Sequence, residues 1–103
     1  MTIEPQALLQ MMQANGELFL LDCRETWEYQ TARIDGATLV PMRAIPQNIE
    51  QIPPDVPVIV YCHHGMRSLD VAFFLKSKGV EARRLSGGID RWSQEVDASI
   101  PRY

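Results

Sequence analysis

The segment Cys62-His63-His64-Gly65-Met66-Arg67-Ser68 gathers the residues of this chain best suited to covalent chemistry. A cysteine becomes a strong nucleophile once it is a thiolate. A free thiol titrates near ~8.5, so only a few per cent is ionised at neutral pH. Lowering that value by about two units needs roughly 2.7 kcal/mol of preference for the anion. A helix terminus typically supplies ~0.3–1 kcal/mol, and up to ~2 in favourable sites. The remainder must come from direct N–H hydrogen bonds or from a nearby cation, for which Arg67 is the candidate. Gly65 allows backbone conformations that turn several N–H groups inward as an anion nest.

Such a loop has to be carried between a strand and a helix. Val58 to Tyr61 is apolar and rich in β-branched residues, which predicts a strand ending at Cys62. Ser68 to Lys78 follows as a helix with Val71, Phe74 and Leu75 on its buried face, and Gly79 stops it. Cys62 then lies beyond the carboxyl end of a strand, facing a helix N-terminus, where ligands gather in sheets of this kind.

The rest of the chain repeats the alternation. Pro5 to Asn15 reads as a helix and Leu18 to Leu21 as a strand covered on both faces. Glu25 to Thr31 reads as a short helix and Ala37 to Val40 as a short strand, with helical turns within residues 43–52. Glu81 to Leu85 is a further strand, Gly87-Gly88 a turn and Ile89 to Val96 a last helix. Strands alternating with helices imply parallel pairing and right-handed crossovers, hence an α/β class.

The 103 residues allow one domain with one core. A formal net charge of -3 argues against a broad nucleic-acid footprint, which needs a basic stripe. The longest apolar run is too short to span a bilayer, and the start of the chain shows no secretion signal. With two cysteines, a disulfide scaffold is not expected, and the chain is expected in the cytoplasm with reduced thiols.

Four blocks in order resemble the rhodanese superfamily: Leu20 to Tyr29, Ile34 to Ala37, Val60 to Ser68 and Leu85 to Trp92. The resemblance covers nearly the whole chain and implies a single domain over residues 1–103. It also implies a three-layer α/β fold, with a central, mostly parallel five-stranded sheet flanked by helices on both faces. The reaction implied is sulfur transfer. Cys62 attacks the outer sulfur of thiosulfate, expels sulfite and becomes a persulfide, which cyanide or a thiol then unloads. Cys62 and Arg67 bracket four residues, as in the sulfurtransferase loop, whereas related phosphatases have a wider Cys-x5-Arg cradle. Two other readings stand beside it: a persulfide relay between proteins of a biosynthetic pathway, and a non-catalytic interaction module. Such modules commonly lack the cysteine.

The roles expected are these. Cys62 is the nucleophile, and His63, His64, Gly65, Met66, Arg67 and Ser68 form the substrate-binding loop. Arg67 either orients an anionic donor or supports a carboxylate network. The histidines either polarise the pocket or are ordinary exposed side chains, and with Cys62 they fall short of a closed zinc site. Asp22 and Arg24 support the loop through charge pairs. Cys23 stands where the family often has an aliphatic residue and reads as packing, with a resolving thiol as the other possibility. Arg33 stands where the family often has a histidine, a change expected to affect a structural contact. Trp27, Trp92, Phe73 and Phe74 read as core, as do Met11 and Met12. No cofactor or metal is expected, and the partners expected are small-molecule or protein sulfur donors and acceptors, with no nucleic acid or membrane.

Overall fold

The computed structural model describes residues 1–14 and 16–103. It contains β1 (Thr2–Ile3), α1 (Pro5–Gln13), β2 (Phe19–Asp22), α2 (Thr26–Thr31) and β3 (Thr38–Leu39), followed by β4 (Val58–Tyr61), α3 (Met66–Ser77), β5 (Ala82–Leu85) and α4 (Gly88–Glu95). Two 3₁₀ turns, Met42–Ala44 and Pro46–Gln51, fill the ambiguous stretch before β4. Asn15, the expected end of the first helix, lies outside the described residues.

The five strands form one sheet in the order β1-β5-β4-β2-β3, and every pairing is parallel. The edge strand β1 carries no pattern long enough to be read from sequence, being two residues held against β5. All four residues of β4 are buried, as expected for a central strand covered on both faces. One face packs Leu21, Val58 and Val60 against Val71 and Leu75 of α3. The opposite face packs Leu20, Ile59 and Leu85 against Leu8 of α1 and Ile89 and Trp92 of α4. The three-layer α/β architecture is therefore present.

Two aromatic side chains expected in the core lie outside it. Trp27 is 59% exposed and Phe73 is 57% exposed. The buried stripe of α3 is Ser68, Val71, Ala72 and Leu75, a spacing of three and four residues, and Phe73 falls off that stripe. Phe74 packs against the core edge, Trp92 is buried, and Met11 and Met12 are half-buried against it.

Register decides what the sheet presents at its carboxyl edge. Asp22 pairs with Tyr61 across β2 and β4, so the next residues on each strand, Cys23 and Cys62, leave the sheet side by side. Both belong to the buried cluster on the α3 face.

Candidate active site

Helix α3 begins at Met66, two residues earlier than the sequence pattern suggests, and Gly65 is its N-cap with φ of 103°. That left-handed conformation is open to glycine at little cost. It aims the Gly65 amide at the Cys62 sulfur, 3.1 Å away, while the Ser68 amide reaches the same sulfur at 3.4 Å. The Ser68 hydroxyl lies 3.4 Å from Cys62 Sγ and 3.2 Å from the Gly65 carbonyl, within donating distance of either.

The loop is held open to the sulfur from behind. The amides of Ile89 and Asp90, in the first turn of α4, donate to the carbonyls of Cys62 and His63 at 2.9 and 3.1 Å. A helix N-terminus has such donors to spare. With these carbonyls tied outward, the amides that follow are free to converge inward. Gly88 makes this approach possible, because a Cβ there would collide with both carbonyl oxygens. Arg84 adds a 2.9 Å hydrogen bond to the Gly65 carbonyl.

The Cys62 thiol is held down at about 5. The largest cause is the neighbouring Cys23 thiol; burial opposes the shift, and the Ser68 hydroxyl with the Ser68 and Gly65 amides adds to it. The neighbouring Cys62 and burial push the Cys23 thiol up, and that thiol donates to the Tyr61 carbonyl at 3.4 Å. Cys62 is itself only 1% exposed.

Arg67 is held by Glu28. Its guanidinium donates two hydrogen bonds to Glu28, at 2.7 and 2.9 Å. Burial raises the Glu28 carboxyl, but Arg67, the Glu25 amide and the Tyr103 hydroxyl more than reverse this and hold it at about 2. Asp22 and Arg24 form a fully buried, two-pronged ion pair at 2.9 and 2.7 Å. Arg24 also donates to the Tyr103 hydroxyl at 2.8 Å, and that hydroxyl donates to Glu28 at 2.7 Å. A continuous chain, Asp22–Arg24–Tyr103–Glu28–Arg67, thus connects β2 and α2 to the first turn of α3. Asp22 and Arg24 reach the loop through this chain and do not touch Cys62.

His63 is stacked between His64 and Tyr103, with ring centroids 3.9 Å apart on each side. Its Nε2 is buried without a hydrogen-bond partner. Desolvation, then the neighbouring His64, keep the His63 imidazole below its ordinary pKa. One ligand atom from each of His63, His64 and Asp90 lies within 4.8 Å of the others, a set that could hold a metal ion. Asp90, however, already receives Arg102 at 2.9 Å and Gln94 at 3.0 Å. Met66 is 73% exposed at the loop rim. Arg33, at a position often held by histidine, lies over the Tyr29 ring at 4.7 Å and lines a groove of about 550 Å³ that includes none of the loop residues.

Three contributors escaped the sequence reading. Glu28 is signalled by the Glu25-x-x-Glu28 spacing of a capping box, whose second half is present in the 3.0 Å bond from the Glu25 amide. Cys23 as a neighbour of Cys62 follows from strand register, and Tyr103 from no local pattern at all.

Comparison with known proteins agrees with this architecture. The family model described as "Rhodanese-like domain" matches residues 4–95. A protein named probable adenylyltransferase/sulfurtransferase MoeZ, from Mycobacterium tuberculosis, is 30% identical over 105 residues. The match takes in 99% of this chain and 27% of MoeZ, so the chain spans about a quarter of that relative. Thiosulfate sulfurtransferase GlpE of Tolumonas auensis is 34% identical over 84% of this chain and 78% of its own length. The crystal structure of a rhodanese-related protein from Thermoplasma volcanium superposes with a TM-score of 0.85 at 26% identity, covering 92% of each chain.

Proposed function

This chain belongs to the rhodanese-like family, whose matched relatives include sulfurtransferases, and from that premise we propose that it moves sulfane sulfur from thiosulfate through a persulfide on Cys62. The thiolate attacks the outer sulfur of thiosulfate, the S–S bond of the donor breaks, and sulfite leaves with the electron pair. Cyanide or a thiol then attacks the outer sulfur of the persulfide and returns Cys62 as a thiolate.

The observation that carries the reading is the convergence of the Gly65 and Ser68 amides on Cys62 Sγ, at 3.1 and 3.4 Å. These donors stabilise the attacking anion. The Met66 and Arg67 amides, also in the first turn of α3, have no carbonyl ahead of them in the helix and suit the oxyanions of the donor. His63, His64 and Met66 line the approach, and Arg67 acts by fixing the loop against Glu28. A four-residue span between Cys62 and Arg67 leaves room for one added sulfur and crowds a phosphoryl group.

A second reading is a persulfide relay, in which a protein delivers or collects the sulfur. It is favoured by Met66, a 73% exposed apolar side chain at the first position of α3, where a partner could dock. The match to one segment of MoeZ favours it as well. Among the described residues no helix is long and apolar enough to cross a membrane. A stable thiolate is consumed by oxidation, and a reducing cytoplasm is the setting this chemistry requires.

The test is to incubate the protein with thiosulfate and cyanide, follow thiocyanate, and compare Cys62→Ser. Turnover that depends on Cys62 supports the enzyme. Loading of one sulfur without turnover supports the relay. A chain that neither loads nor turns over is an interaction module, and the proposal fails.

A further inference from the structure

Cys23 lies against the peptide bond that leads into Cys62. Its sulfur is 3.4 Å from the Tyr61 carbonyl oxygen, and its amide donates to that same oxygen at 3.2 Å. The two cysteines are the first residues beyond the Asp22–Tyr61 pair and belong to one buried cluster on one sheet face. Both are free thiols. Neighbouring strands run about 4.8 Å apart, inside the ~4.4–6.8 Å Cα separation that a disulfide spans. Positions just beyond a paired couple on two such strands are thus close enough for a bond between them.

From this juxtaposition we infer that the chain has a second activity: it discharges a persulfide on Cys62 internally, with Cys23 attacking the inner sulfur and the outer sulfur leaving as hydrosulfide. The inference rests on the persulfide reading above. The bond between Cys23 Sγ and Cys62 Sγ forms, and the bond from Cys62 Sγ to the outer sulfur breaks. The outer sulfur keeps the electron pair and takes the Cys23 thiol proton, leaving as HS⁻. In formal count Cys23 is oxidised by one electron and the outer sulfur is reduced by one, so a single turnover needs no outside oxidant or reductant. A small dithiol afterwards reduces the Cys23–Cys62 disulfide and resets the site.

Two features favour the step. Cys23 is wholly buried, so its sulfur has access to Cys62 and not to outside thiols. Loading also moves the negative charge from Cys62 Sγ to the atom beyond it. In the unloaded site the neighbouring Cys62 charge and burial favour the protonated Cys23 thiol. Once the charge has moved outward, that hold on the proton relaxes and the inner sulfur becomes an electrophile. The chain would then convert thiosulfate sulfur to sulfide at the expense of a dithiol.

The experiment is a single turnover. The full chain is loaded with thiosulfate, freed of excess donor, and kept without cyanide or thiol while sulfide is measured and the intact mass followed. Sulfide is normalised to the sulfur that cyanide can release from a parallel sample. The wild type should give one sulfide per loaded sulfur, lose two hydrogens relative to the reduced chain, and yield a Cys23–Cys62 linked peptide. Its rate should not depend on protein concentration. Cys23→Ser and Cys23→Ala should hold their sulfur, with release slowed by about tenfold or more. A loaded wild type that keeps its persulfide as long as Cys23→Ser overturns this inference alone, as does sulfide release with only intermolecular disulfides. Failure of the wild type to gain any sulfur overturns the function proposed above and this inference with it.

Discussion

The Tyr103 hydroxyl donates a 2.7 Å hydrogen bond to Glu28, 75 positions away in the sequence. The same oxygen accepts from Arg24 at 2.8 Å, so it joins the buried Asp22–Arg24 pair to the Glu28–Arg67 pair that steadies the Cys62 loop. Removing it leaves polar groups on both sides short of a partner. Tyr103→Phe is expected to cost about 1–3 kcal/mol in urea unfolding, because a buried donor and acceptor are left unmatched. The ring, and its stacking on His63, stay in place. Unchanged stability would show that the chain of contacts does not act as a unit.

The Cys62 thiol, held at about 5, gives a pH signature. Alkylation by a neutral reagent should reach half its maximal rate near pH 5, where an ordinary thiol would do so near ~8.5. Linkage fixes the sign of the stability effect. A group whose pKa falls on folding adds stability that is complete above its unfolded value and is lost as pH falls through the folded one. Wild type minus Cys62→Ala stability should therefore rise with pH between about 5 and ~8.5 and be flat below about 5. An alkylation midpoint near ~8.5 would contradict the hydrogen-bond geometry.

Glu28, held at about 2, behaves in the same sense at lower pH. The stability it contributes is complete above the ordinary carboxylate range and is lost as pH falls towards about 2. Glu28→Gln keeps the shape but weakens the two charged bonds to Arg67. It should destabilise the fold by about 1–3 kcal/mol near neutral pH, and the difference from wild type should shrink in acid. Denaturant melts at two pH values are enough to see this. Sulfur-loading rates should fall as well, since Arg67 no longer fixes the first turn of α3.

Gly65 has φ of 103°, and its Cβ would approach Arg84 Nη1 to 3.1 Å. Gly65→Ala is expected to cost about 1–3 kcal/mol in strain, and relaxing that strain should turn the amide away from Cys62. Gly65→Val should abolish sulfur transfer while leaving the fold largely intact, because a β-branched residue distorts the nest further. Gly88→Ala should be worse for stability than Gly65→Ala, because its Cβ meets carbonyl oxygens that cannot move independently of the loop. Circular dichroism beside the activity assay separates lost chemistry from lost fold. Full activity in Gly65→Val would refute the nest.

The loop from Cys62 to Ser68 could be read from the chain because its parts are adjacent: a β-branched strand, a cysteine, a glycine and a helix, each with its own short-range preference. The alternation of strands and helices, and with it the α/β class, was legible for the same reason. What lay beyond the sequence depends on which elements become neighbours. Arg67 turns to Glu28, 39 positions away, and leaves the sulfur to main-chain amides. Cys23 comes to lie beside Cys62 because β2 pairs with β4 in one register, and a slip of one residue would place it on the other face. Tyr103 joins the site by a contact that has no periodicity, and Gly88 matters because α4 docks against the back of the loop. Local torsional and hydrophobic preferences chose the cysteine loop and its frame; packing over long separations chose the groups that surround it.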